Sequence, residues 1–82
     1  MLVQHFLQES ARLFPDKTAL GYKDRRLSYA QIDRSANALT HTLIEQGLQP
    51  GDRVAVCLPN CLEAAIAIFG ILKASGVFVF LN

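Results

Sequence analysis

Cysteine, histidine and carboxylate side chains are the groups in this sequence that could attack a carbonyl, move a proton or hold a metal. Cys57 and Cys61 stand four residues apart. A thiol pair could supply half of a tetrahedral zinc site, but the other two ligands would have to be His5 and His41, which lie on unrelated segments. Cys61 falls where a helix is expected to begin, and a helix N-terminus lowers a thiol pKa. A reactive cysteine also needs a base or a resolving thiol beside it, and the sequence places neither there, so both cysteines are read as buried structural thiols. His5 and His41 have no serine, cysteine or carboxylate at a spacing that builds a catalytic triad, and are read as solvated. The segment Leu58-Pro59-Asn60 leaves a strand and enters a helix, the position where an open α/β sheet offers backbone amides to an anion. It holds no glycine to let a phosphate approach closely, so a plain helix cap is the expected role. No residue is assigned a catalytic, cofactor-binding or metal-binding function.

The elements that would carry these side chains can be read from spacing. Val3, Phe6, Leu7, Ala11, Leu13 and Phe14 recur at steps of three and four, which predicts an amphipathic first helix ending before Pro15 and packing its apolar side on the core. Its polar side lacks the lysines of a membrane-surface anchor. Residues 18–22 and 26–28 flank Lys23-Asp24-Arg25, the pattern of a short hairpin with a charged tip, in which Arg25 and Arg26 are expected to lie solvated. Ser28 and Gln31 form a capping box for a second helix starting at Tyr29, whose stripe is Tyr29, Ile32, Ala36, Leu39 and Leu43 and whose end is marked by Gly47 and Pro50. Gln49-Pro50-Gly51-Asp52 reads as a type II turn.

Residues 53–58 then form a strand that is continuously apolar over 54–58, as when both faces of a parallel strand are covered. A third helix over about 61–75 follows, capped by Asn60 with Glu63 at the reciprocal position and ended by Gly76. Residues 77–81 make a second buried strand. Strand, helix and strand at these lengths predict a right-handed βαβ unit. The fold class is therefore α/β: an N-terminal helix, a short hairpin, a helix and a βαβ unit of a larger sheet domain, with the whole of residues 1–82 as its N-terminal fragment.

That incompleteness is also an argument from composition. The chain has 82 residues, 51% of them hydrophobic and 18% charged, and a chain this short hides a smaller share of its surface than a full domain does. Leu62, Ala65, Ile66, Ile68, Phe69, Ile71 and Leu72 make the third helix apolar nearly all round, which predicts an uncovered side near Ile68 and Leu72 and self-association of the isolated chain. Disorder is excluded. A net charge of +1 from 8 basic and 7 acidic residues gives no footprint for nucleic acid. A membrane span through residues 64–81 is disfavoured by Lys73 in its middle and by the change at Gly76 from helix formers to the β-branched and aromatic block Val77-Phe78-Val79-Phe80. With no basic opening segment or signal-cleavage pattern, the compartment expected is the cytoplasm.

Two phrases resemble core motifs of the adenylate-forming (AMP-binding) superfamily, which holds acyl-CoA synthetases, peptide-synthetase adenylation domains and luciferases. Leu27-Ser28-Tyr29-Ala30-Gln31-Ile32 is similar to the first, Leu-Thr/Ser-Tyr-x-Glu-Leu. The stretch from Leu72-Lys73-Ala74-Ser75-Gly76 to Phe80-Leu81-Asn82 is similar to the second, Leu-Lys-Ala-Gly-x-x-Tyr/Val-Val-Pro-Leu-Asp/Asn. Between them, Gly51-Asp52-Arg53-Val54-Ala55-Val56 and Leu58-Pro59-Asn60 are similar to the usual strand and its exit, so the resemblance covers nearly the whole chain. Gln31 stands in place of the usual acid, and Phe80 in place of proline. The Pro59-Asn60 pair and Asn82 are closer to acyl-CoA synthetases than to amino-acid-activating domains.

The resemblance implies a parent enzyme that uses ATP, magnesium and coenzyme A to convert a small-molecule carboxylate into an acyl adenylate and then a thioester. The motifs that bind phosphate, magnesium and ribose, and the catalytic lysine, all follow these two in such enzymes. The expected partner of the fragment is accordingly the remainder of the parent domain.

Overall fold

The computed structural model describes residues 3–57 and 61–81. Its elements follow in the order α1 (Val3–Leu13), β1 (Thr18–Tyr22), β2 (Arg25–Ser28), α2 (Tyr29–Glu45), β3 (Arg53–Val56), α3 (Leu62–Lys73) and β4 (Val77–Phe80). β1 and β2 pair as an antiparallel hairpin, with Arg25 opposite Tyr22 and Lys23 at φ +54 in the turn. β3 and β4 are parallel neighbours joined through α3, with Arg53 opposite Val77 and Val56 opposite Phe80. This is the mixed α/β arrangement that the spacing predicts, although Arg25 belongs to a strand rather than to the hairpin tip.

The capping box of α2 is formed in both directions: Ser28 Oγ accepts from the Gln31 amide at 3.2 Å, and Gln31 Oε1 accepts from the Ser28 amide at 2.8 Å. At the other end Gly47, at φ +100, donates to Ile44 O and Leu48 donates to Leu43 O, each at 3.0 Å. This double closure uses the left-handed backbone that glycine adopts without penalty. The following turn has Gly51 at φ +87 and a 3.0 Å bond from the Asp52 amide to Gln49 O, as the Pro50-Gly51 pair predicts.

Both ends of α3 differ from expectation. Its N-cap is Cys61, in extended backbone and without a side-chain capping bond, so Glu63 is the second helical residue instead of a reciprocal cap. Asn60 lies outside the described residues. At the C-terminus the left-handed position belongs to Ser75, at φ +64, and not to Gly76. Ser75 donates to Leu72 O at 3.0 Å and Gly76 to Ile71 O at 2.9 Å, the same double closure as on α2, shifted by one residue from the glycine. A non-glycine residue in this conformation costs about 1–2 kcal/mol, and replacing it with glycine loosens the unfolded chain by about 0.4–1 kcal/mol. Ser75→Gly is therefore expected to stabilise the chain by about 0.5–1 kcal/mol, read as a higher urea midpoint at unchanged slope; a lower midpoint would contradict this account.

α3 is the central element. It packs most extensively on α2 and also meets β3, β4, α1 and β1. The buried core consists of Leu7, Ile32, Ala36, Val56, Leu62, Ala64, Ile71 and Ala74, drawn from α1, α2, β3 and α3 with its cap. α2 and α3 approach closely at Gly70, where a Cβ would lie 2.7 Å from Leu39 Cδ2. Beside it the Thr40 hydroxyl is shared between Ala36 O of its own helix and Gly70 O of the other, at 2.9 and 2.8 Å. Ile68 and Leu72 are consequently half-buried, and the expectation that their side of α3 stands uncovered is corrected.

The exposed apolar surface lies elsewhere. On α1 and just beyond it only part of the predicted stripe reaches the core: Leu7 is buried, but Phe6, Leu13 and Phe14 are more than half exposed. On the sheet, alternation places Val54, Val56 and Phe78 toward α3, and Val77 and Val79 with Ala55 on the opposite face. Val77, Val79 and Leu81 are 47%, 40% and 49% exposed, so the strands are covered on one face and not on both. The Val77 and Leu81 amides donate to Asp52 O and Val56 O at 2.8 and 3.0 Å. The Phe78 and Phe80 amides therefore point to the opposite, outer edge of β4. Proline at position 80, as in the resembled motif, would remove an edge donor and leave the β3–β4 ladder intact, which is where a strand tolerates proline. Phe80 instead adds a ring that meets Phe78 edge to face at 5.7 Å.

Candidate functional site

In a parallel pair flanked by helices, ligands are held at the carboxyl ends of the strands. Here that end carries Cys57, directly after β3, and Cys61 at the start of α3, with Leu58-Pro59-Asn60 between them outside the described residues. Both thiols are free; Cys57, which directly follows β3, is exposed and Cys61 is half-buried, so the expectation that both are buried is corrected. Cys61 borders an apolar depression of about 250 Å³ formed with Leu20, Tyr22, Leu62 and Ala65.

The hairpin reaches this end of α3 through an ion pair between Arg25 and Glu63, 38 residues apart in sequence. Arg25 is thus exposed as expected but paired. The Arg25 guanidinium is the main cause that holds the Glu63 carboxyl below its ordinary value, aided by the Glu63 amide and the Cys61 thiol. Since the folded pKa is the lower one, any stability the pair gives is present above the unfolded carboxylate pKa and is lost as pH falls through the folded value. Glu63 is fully exposed, so the effect is screened and small. Arg25→Ala is expected to move the Glu63 titration midpoint up toward the ordinary carboxylate value in a carbon-detected NMR titration. An unmoved midpoint would show that the ion pair does not persist in solution.

The two histidines are not brought to this place. His5 is exposed on α1 and lines an open cleft of about 610 Å³ with Gln8, Glu9, Arg12, Asp33 and Arg34, whereas His41 is exposed on α2. Within that cleft Glu9 and Arg12 are paired along α1, which lowers the carboxyl pKa and raises the guanidinium pKa. Among the described residues no three His, Cys, Asp or Glu side chains are grouped to hold a metal ion. Among the same residues, no helix is long and apolar enough to cross a membrane.

One polar cluster escapes the sequence reading. Lys73, in the last turn of α3, donates to Asp33 Oδ1 at 2.5 Å and to Asn37 Oδ1 at 2.7 Å, both on α2. The Lys73 side chain is 11% exposed and that of Asp33 20%. Two signals pointed to it: a lysine inside an otherwise apolar helix needs a partner, and Asp33 and Asn37 are one helical turn apart on the same face. The cluster ties the two helices that carry the first and second motifs. Lys73 and Asp33 are largely covered while Asn37 is exposed, and Lys73 lies in the last turn of α3, away from Cys61 and the carboxyl ends of the strands, so the cluster positions the two helices.

Comparison with known proteins bears on the same two motifs. The AMP-binding enzyme family matches residues 7–82. A long-chain-fatty-acid–CoA ligase of Bacillus subtilis (strain 168) is 44% identical over 80 residues, covering 98% of this chain and 14% of its own length. Tyrocidine synthase 1 of Brevibacillus parabrevis is 39% identical over 77 residues, covering 94% of this chain and 7% of its own length. The solved nonribosomal peptide synthetase FmoA3 (S1046A) superposes with a TM-score of 0.95 at 34% identity, over 99% of this chain and 9% of that one; it has also been solved with α-methyl-L-serine-AMP and with AMPPNP bound. The chain thus spans a small part of each protein it matches. The fold agrees with FmoA3 over almost the whole chain, and with the family match over residues 7–82 the chain belongs to the AMP-binding enzyme family.

Proposed function

We propose that residues 1–82 are the N-terminal scaffold segment of an AMP-forming acyl-CoA synthetase. In that reaction a carboxylate attacks the α-phosphate of ATP and releases pyrophosphate, and the thiol of coenzyme A then displaces AMP from the acyl adenylate. The observation that carries the reading is the second motif, seated on the turn from α3 into β4 and held to α2 through Lys73. The choice of subclass is supported by the identity to the fatty-acid–CoA ligase and by Pro59-Asn60 and Asn82 in the sequence. A second reading, an amino-acid adenylation domain that passes its product to a carrier-protein thiol, is supported by the tyrocidine synthase and FmoA3 matches.

The described residues do not fit ATP or magnesium. They hold no group of three metal-ligating side chains, and the glycines at 47, 51, 70 and 76 terminate helices, form a turn or lie at close packing contacts instead of forming a phosphate cradle. No chemical step is therefore assigned to these residues; their part is to fix the second motif against α2.

The purified 82-residue chain is expected to give no carboxylate-dependent exchange of pyrophosphate into ATP, and exchange abolished by EDTA would overturn the scaffold assignment. In the full-length protein, fatty-acid-dependent exchange with thioester formation on coenzyme A would support the first reading. Amino-acid-dependent exchange with transfer only to a phosphopantetheinyl carrier would support the second.

A further inference from the structure

We draw no further inference here: the strongest candidate, the open apolar face of the β3–β4 pair that carries Val77, Val79 and Leu81, has nothing in the structure to show what covers it.

Discussion

Ile71→Ala is expected to destabilise the chain by about 3 kcal/mol, within the range of about 2–5 kcal/mol for truncating a buried isoleucine to alanine. Ile71 is 1% exposed and is one of the two largest fully enclosed side chains, the other being Ile32. It lies on α3 where the helix meets α2 and β3, next to a small apolar gap shared with Leu39, Leu43, Val54 and Ala67. A hole opened there adjoins surfaces already held by the Gly70 crossing and by the β3–β4 ladder, so little collapse can refill it. For a chain of this size the loss corresponds to about 12–24 °C in Tm. Ile71→Val, which removes one methyl group, should cost about 1 kcal/mol. Urea unfolding of the three proteins checks the series; a loss below about 1 kcal/mol for the alanine variant would mean that α3 is not the centre of the core.

Lys73→Ala is the second large effect. Without the ammonium, the part-buried Asp33 carboxylate loses its charged partner and keeps only the long bond from Asn37 Nδ2, at 3.5 Å. Removing one partner of a fully buried ion pair costs about 3–5 kcal/mol. Asp33 retains one-fifth of its side-chain surface in water, so a cost of about 2 kcal/mol is expected here. Lys73→Met should lose nearly as much, because it restores the packing of the stem but not the charge. Adding Asp33→Leu to Lys73→Met should recover part of the loss, since the stranded carboxylate is then gone. A double variant no better than the sum of the single changes would show that the two side chains do not interact.

Local chemistry made several parts of this fold legible. Ser28 and Gln31 are three residues apart and satisfy each other's amides without reference to anything distant, so the start of α2 follows from sequence alone. The same holds for the Pro50-Gly51 turn and for the strand–helix–strand order. What escaped is set by tertiary contact. The Arg25–Glu63 and Lys73–Asp33 pairs join residues 38 and 40 positions apart, and no spacing rule reaches across such intervals. On α1 the periodicity names a face but not how much of it meets a neighbour; Leu7 is covered while Phe6 and Leu13 on its flanks are not. Residue type alone puts the stop of α3 at Gly76. The backbone turns left-handed one residue earlier, at Ser75, and leaves Gly76 at a place where a Cβ would stand 3.1 Å from Ile71 Cγ2 and 3.3 Å from Leu48 Cδ2.

The contact of Gly76 with Leu48 has a kinetic side. Leu48 closes α2 and Gly76 closes α3. Between them the Gly51 amide donates to Ser75 O and the Val77 amide to Asp52 O, both at 2.8 Å. The ends of two helices and the beginnings of two strands are thus knotted at one spot, by residues about 25 apart. The entropy of drawing those ends together is lost once, and the Gly51–Ser75 and Val77–Asp52 bonds both draw on that single closure, while the two caps form locally. Parallel strands ordinarily fold slowly because distant segments must meet before any bond rewards the encounter. In this chain the meeting point is where both helices stop, so the first rung of the parallel ladder is set beside two locally fixed helix ends.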